Sequence, residues 1–299
     1  MTTNYSLKDW LIDRFGGNTE KEAISLIVNK LISRSNQQEL PIKLSEIANL
    51  IGINPFPIYR NQTSFGQIIE INNEFRISLK MKSGKLPSVY WYGYPKLRFS
   101  YAHELIHCLF YDFSFKPPKR IAPLAKGNEE EKLCNHGAGL LILPNKIVKK
   151  YVDTLQSNDI INVAGNLARK SHSSLHASML YLIKNDFLGS DKNKLYILSR
   201  ISEGYRNRGE KKPRCVISIR FYSNNKKEAF LPTYKGLDFL GSSWSLLDYY
   251  SHINSTSEFI VKNEIIVYKG KKYILNGKHK QVSNSGYIWS DLNIESLEG

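Results

Sequence analysis

Apolar residues recur at helical spacing over the first fifty positions. Leu7, Trp10, Leu11 and Phe15 fall on one face of a short helix that Gly16-Gly17 ends. Thr19 and Glu22 have the spacing of a capping box, ahead of Ile24, Ile27, Val28 and Leu31 at i, i+3, i+4, i+7. Pro41 opens a shorter helix, Leu44 to Leu50, which Gly52 closes. A helix-turn-helix reading of Leu44 to Ile53 gains little, because Pro55 and Pro57 break the chain where a recognition helix would follow. The period then changes to two. Ile69 and Ile71, a turn at Asn72-Asn73, and Phe75, Ile77 and Leu79 predict a β-hairpin. Val89 to Tyr92 reads as a further strand or edge. Its aromatic cluster suits sheet packing first and a groove wall second.

After Pro95 a helix is predicted from near Phe99 through Leu109. The basic, proline-containing run from Ser114 to Asn128 reads as a solvated loop, with a lid as the rival reading. A second helix spans Asn128 to Leu143 and stops at Pro144. Ile147, Val148 and Tyr151 continue the helical period, Asn158 is placed to cap Ile160 to Leu167, and Ser173 or Ser174 to cap Leu175 to Lys184. From about residue 194 the texture is that of strands: Leu195 to Leu198, Val216 to Phe221, Phe259 to Val261, Ile265 to Tyr268, Tyr273 to Leu275 and Gly286 to Trp289, with a hairpin turn at Lys269-Gly270. An α+β chain of two domains follows, residues 1–190 and a β-rich 191–299.

Composition narrows the class. In 299 residues, 41% are hydrophobic and 23% charged, enough for packed cores and against global disorder. No apolar run reaches the ~18 residues of a membrane span, and the start lacks a signal-peptide core, so a cytoplasmic protein is expected. Cys108, Cys134 and Cys215 form no C-x-x-C pair and are odd in number, which argues against a disulfide framework. The net charge of +15 is spread, +6 on residues 200–299 and +9 on the rest. Spread basicity raises affinity for nucleic acid or acidic partners but defines no binding face. The densest basic stretch, Arg206, Arg208, Lys211, Lys212 and Arg214, reads as the linker or first loop of the β-rich domain, with nucleic-acid or partner contact as its functional alternative.

The chemistry is concentrated in His103-Glu104-Leu105-Ile106-His107, an H-E-x-x-H motif on the central helix. Positions i and i+4 share a helix face, so both imidazoles can reach one metal ion, and Glu104 beside them can take a proton from a water there. The metzincin extension is absent, since residues 110 and 113 are phenylalanine. The next helix carries Glu129, Glu130 and Glu131, candidates for a third ligand, though acidic residues in a first turn also suit the helix dipole. Cys108 and Cys134, next to these positions, read as core packing.

Two segments carry a family resemblance. Arg98-Phe99-Ser100-Tyr101-Ala102-His103-Glu104-Leu105-Ile106-His107 resembles the first signature of the ImmA/IrrE zinc metallopeptidases, R-F-T-x-A-H-E-L-x-H. Glu131 to Pro144 resembles the second, E-x-x-C/A-N-x-F-A-A-x-L-L-x-P, with Gly137 in place of phenylalanine and Gly139 in place of the second alanine. Looser helix packing is expected from both replacements. A weaker match runs from Leu167-Ala168 through Ser174-Leu175-His176-Ala177 to Leu182, with Tyr181 where arginine is usual. The resemblance covers roughly residues 20–188.

The resemblance implies a zincin-like core: a small sheet, the motif helix and a helical frame. It implies one zinc ion on His103, His107 and Glu131, with Glu104 as the base of peptide hydrolysis. Asn135, His136, His172, His176 and Tyr92 are the candidates for orienting a ligand or stabilising the oxyanion. It also implies a protein substrate, a helix-turn-helix repressor of stress, phage or mobile-element genes. The β-rich domain would then sense a nucleic acid or small-molecule activator, or recognise the partner. The rival readings are a metal-stabilised regulator that cuts nothing and a nucleic-acid-binding sensor.

Overall fold

The computed structural model of the chain describes residues 5–72, 74–80, 95–116, 118–125, 127–157, 159–185, 187, 194–206, 210–222, 258–268, 271–282 and 287–296. Tyr92, the Val89–Tyr92 segment, Asn158 and Arg208 lie outside them. The chain is mixed α+β and divides into two units, Met1–Ser178 and Met179–Gly299.

The first unit opens with helices α1 (Leu7–Phe15), α2 (Glu20–Arg34) and α3 (Leu44–Ile51). A capping box that the hydrophobic pattern does not reveal starts α1: Asp9 N donates to Ser6 Oγ, and Ser6 N donates back to the Asp9 carboxylate, both at 3.2 Å. At α2 the expected box is displaced by one residue. Thr19 Oγ1 accepts from Glu22 N, but the Glu22 carboxylate accepts from Asn18 N at 2.8 Å. Gly52 ends α3 in the left-handed conformation, φ 88°.

A three-stranded sheet of β1 (Asn54–Arg60), β2 (Gly66–Ile71) and β3 (Glu74–Lys80) follows, in the order β1-β3-β2. The β2–β3 hairpin is as expected, turning at Asn72 with φ 52°. The strand through Pro55 and Pro57 is not foreseen. It pairs parallel to β3 with a register shift between Asn54 and Ile58, and it lies outermost among the described strands. Prolines lack the ladder donor, so such an edge is where a strand tolerates them.

Helix α4 (Pro95–Cys108) starts at Pro95 rather than near Phe99, because proline is at home in a first helical turn. The extra turn places Lys96 and Arg98 on the helix. Arg98 is fully buried and its Nη2 donates to Ile42 O at 2.6 Å, while the Tyr101 hydroxyl donates to Pro55 O at 2.9 Å. These two bonds tie α4 to the chain before α3 and to β1. The run expected as a loop holds a two-stranded hairpin, β4 (Tyr111–Asp112) with β5 (Lys119–Arg120).

Helix α5 (Glu129–Ile142) packs on α4 and α2. Gly137 is buried there, and the packing is close rather than loose. A Cβ on it would come 2.8 Å from Ile106 Cδ1 and 3.0 Å from Ile24 Cγ2. Gly139 has open space beside it. Helices α6 (Asn145–Thr154), α7 (Ile160–Ser171) and α8 (Leu175–Lys184) follow. The α7 cap is Asp159, whose carboxylate accepts from Ile161 N and Asn162 N. Ser174 Oγ accepts from Ala177 N at 3.1 Å, as expected for α8.

The second unit contains an antiparallel sheet of β6 (Lys194–Arg206), β7 (Glu210–Tyr222), β8 (Glu258–Tyr268), β9 (Lys271–Val282) and β10 (Tyr287–Ser296), ordered β7-β6-β10-β9-β8. Arg206, Lys211, Lys212 and Arg214 are therefore strand positions in the β6–β7 ladder, not a linker. No helix among the described residues is long and apolar enough to cross a membrane.

Candidate metal centre and its cleft

The motif histidines face one point. Helix α4 carries His103, Glu104 and His107 on the side away from its buried residues Ala102, Leu105 and Ile106. His103 Nε2 and His107 Nε2 stand 3.0 Å apart. The Glu131 carboxylate, from the first turn of α5, faces both: Oε2 is 3.2 Å from His103 Nε2 and Oε1 is 3.2 Å from His107 Nε2.

The opposite ring nitrogens are already engaged. His103 Nδ1 lies 3.0 Å from Asn135 Oδ1, and His107 Nδ1 lies 3.0 Å from Glu130 Oε1. A carboxylate and an amide oxygen only accept, so each Nδ1 carries the proton and each Nε2 a bare lone pair. Two lone pairs and two carboxylate oxygens thus converge within 3.2 Å without a donor among them. A cation satisfies that arrangement. Ligands held ~2.0–2.1 Å from a tetrahedral zinc ion stand roughly 3.3 Å from one another, which the donor set matches.

His103, His107 and Cys134 also offer ligand atoms within 4.8 Å of one another. The Glu131 oxygens are nearer than that limit and line the open cleft, whereas Cys134 is fully buried and does not. Burial, then the carboxylates of Glu130, Glu131 and Glu104, raise the Cys134 thiol pKa. The Cys108 thiol is likewise raised by burial and donates to Glu104 O at 3.0 Å, as a core residue does.

Electrostatics support the neutral imidazole at His103. Burial lowers its pKa first, and the neighbouring His107 adds to that, outweighing Glu131. Burial raises the Glu104 carboxyl; His107 opposes and Glu131 adds. Glu130 behaves differently. Burial pushes it up, but the hydrogen bond and charge of Arg120, followed by His107, prevail and lower it. Arg120 Nη2 donates to Glu130 Oε2 at 2.6 Å, so a chain Arg120–Glu130–His107 fixes the second imidazole from behind. Asn135 Oδ1 holds the first in the same way.

The centre opens into a cleft of about 750 Å³. Phe65, Gly66 and Ile68 line it from the sheet side, Lys96, Phe99 and Ser100 from α4, and Tyr111, Phe113 and Pro118 from the β4–β5 hairpin. Gly66 is placed by close approach: a Cβ there would come 2.5 Å from Glu104 Oε1. Its absence lets the strand press against Glu104.

The other proposed helpers are elsewhere. His136 Nε2 is 3.0 Å from Ser25 Oγ on α2. His172 caps α7 in the left-handed conformation, φ 55°, and His176 is half-buried on α8 with its pKa lowered by burial. None of the three lines the cleft. Sequence reasoning offered Glu130 only as a possible ligand or dipole partner and gave no role to Arg120 or Gly66. The only signal was the acidic run itself, which the helix dipole equally explains.

No known family model matches the chain, and no curated protein matches it in sequence. Among solved structures, a Mycobacterium tuberculosis transcriptional regulator aligns over 96% of this chain and 78% of its own, at 13% identity and a TM-score of 0.41. That likeness is too slight to bear on function.

Proposed function

We propose that the first unit is a zinc-dependent endopeptidase with a zincin-like core. The observation that carries this reading is the convergence of two bare imidazole nitrogens and one carboxylate beside a half-buried glutamate, at the floor of an open cleft. His103, His107 and Glu131 would hold the ion, with Asn135, Glu130 and Arg120 orienting the imidazoles. Bound zinc supplies polarisation of a water and of the peptide carbonyl. Glu104 accepts the water's proton on its carboxylate and passes it to the leaving amine. Burial raises its pKa, the direction that helps a carboxylate take up a proton and hand it on. A solely structural zinc site has use for neither an accessible cleft nor a base.

The substrate proposed from the ImmA/IrrE resemblance is a helix-turn-helix repressor, with the second unit sensing an activator or the partner. The test is to incubate the zinc-loaded protein, and its Glu104→Gln variant, with a helix-turn-helix repressor of its own organism, taken from beside its gene where one is encoded there. Wild-type protein is expected to cleave it at one site by mass spectrometry. The variant should retain one zinc per chain and lose on the order of 10²–10⁴-fold in rate. Retention of the biological effect by Glu104→Gln would mean that the protein regulates without cutting.

A further inference from the structure

The cleft is not uniform along its length. Besides the candidate ligands, its lining includes the aromatic rings of Phe65 and Phe99 and the ammonium of Lys96. Lys96 Nζ sits 3.7 Å from the centroid of the Phe65 ring and Lys80 Nζ 5.6 Å from the same ring. Phe65 is half exposed (53%), so both cations are held over a solvent-facing aromatic surface. Lys80 Nζ also donates to Thr63 O at 3.2 Å, and neither lysine forms an ion pair among the described residues. Along α4, Phe99, itself 37% exposed, and Ser100 lie between Lys96 and His103, and both line the cleft.

We propose that the cleft selects an extended polypeptide with an acidic side chain three to four residues from the scissile bond and a large apolar side chain between. The inference rests on the peptidase reading of the same site and names its substrate class. Spacing comes from the helix. The backbone of Lys96 lies about 12 Å along α4 from that of Glu104, and an extended chain covers that rise in three to four residues at ~3.3 Å each. Charge sets the sign. Near the centre the carboxylates of Glu104 and Glu131 repel a substrate acid, whereas Lys96, at the start of α4, attracts it. The exposed ring of Phe99, between Lys96 and His103 along α4, accepts an apolar side chain. Hydrolysis balances as ordinary amide cleavage: water adds its oxygen to the carbonyl carbon, the C–N bond breaks, and the amine leaves with a proton.

The experiment digests a mixed peptide library with the zinc-loaded full chain and maps cleavage sites by mass spectrometry. In wild type, Glu and Asp should be enriched roughly threefold to fivefold at one position three or four residues from the cut, as befits one exposed ion pair. The preference should shrink with added salt. Lys96→Ala should level it, and Lys96→Glu should invert it toward Lys and Arg at the same position. A flat profile in wild type, or one that Lys96→Glu leaves unchanged, overturns the proposal while leaving the peptidase reading intact. Binding to the zinc-loaded Glu104→Gln protein separates the two ideas. Fluorescence anisotropy with labelled peptides differing only by Glu or Gln should show the same preference without turnover. If that preference appears and wild type cuts nothing, the acidic subsite stands and the peptidase reading fails. If it is absent, the subsite is disproved.

Discussion

A histidine ligand is defined by the nitrogen it does not use. Asn135 and Glu130 engage the Nδ1 atoms, and only then do both Nε2 lone pairs turn to one point. Removing that support should weaken zinc without removing a ligand. Glu130→Gln is expected to lower zinc affinity about 10–100-fold, measured by competition with a chromophoric chelator. Arg120→Ala should act in the same direction through Glu130, and the double variant should be less than additive because the two residues serve one bond. Gly66 offers a contrasting case. Gly66→Ala would place a methyl group where the Glu104 carboxylate now sits, 2.5 Å from Oε1. Its peptidase rate should fall by up to about 10²-fold with zinc content unchanged. An unaltered rate would show that the Glu104 position has more tolerance than the close approach suggests.

The pairing of α4 with α5 is the element on which the site depends. One helix supplies both histidines and Glu104, the other supplies Glu131, Glu130 and Asn135. Their separation is set by Gly137, against which Ile106 and Ile24 are pressed. Gly137→Ala gains helix propensity, about 1 kcal/mol at most, but forces the contact open. Overpacking of that kind costs about 1–3 kcal/mol, so a net loss of stability is expected in urea unfolding, with zinc affinity falling alongside. Gly139→Ala, on the open side of the same helix, should stabilise or be neutral. The pair of variants thus separates propensity from packing within one element. Asp159 shows how a single residue sets an element boundary, since it satisfies two amide donors at the start of α7. Asp159→Ala should cost about 1 kcal/mol in the same assay.

For the whole molecule, one marked pH dependence among the described residues outside the candidate metal centre belongs to a buried histidine of the second unit. His279 on β9 faces Ser290 of β10 in register, with Nδ1 2.8 Å from Ser290 Oγ, and its ring stacks on Phe259 of β8. Burial pushes its pKa down to about 4. An unfolded histidine titrates near ~6.5, so between the two values the unfolded chain binds the extra proton. The contribution to stability is therefore complete above about pH 6.5, falls as pH drops toward 4, and is flat below. The loss is on the order of 3 kcal/mol. Urea unfolding of the full chain from pH 7 to 4 should show it. His279→Asn should remove that part of the slope.

How much of this was legible depends on how far apart the interacting residues lie in the chain. The motif histidines, the amphipathic helices and the β2–β3 hairpin are local: spacings of four, of three to four, and of two place side chains on one face whatever surrounds them. Glu131 was singled out by the family resemblance alone, and Asn135 by its place one turn after it on α5. Glu130 and Glu131 differ by only about 100° of rotation around α5, and nothing local says which turns to the metal point and which to the back of His107. That choice was made by Arg120, reaching from a hairpin that the sequence presented as a loop. The parallel pairing of β1, the pressure of Gly66 on Glu104, and the removal of His136 to Ser25 on α2 are likewise contacts between distant segments. Periodicity specifies which face of an element is buried. Only the packed structure decides which neighbour that face meets, because the match depends on shapes and charges contributed from elsewhere in the chain.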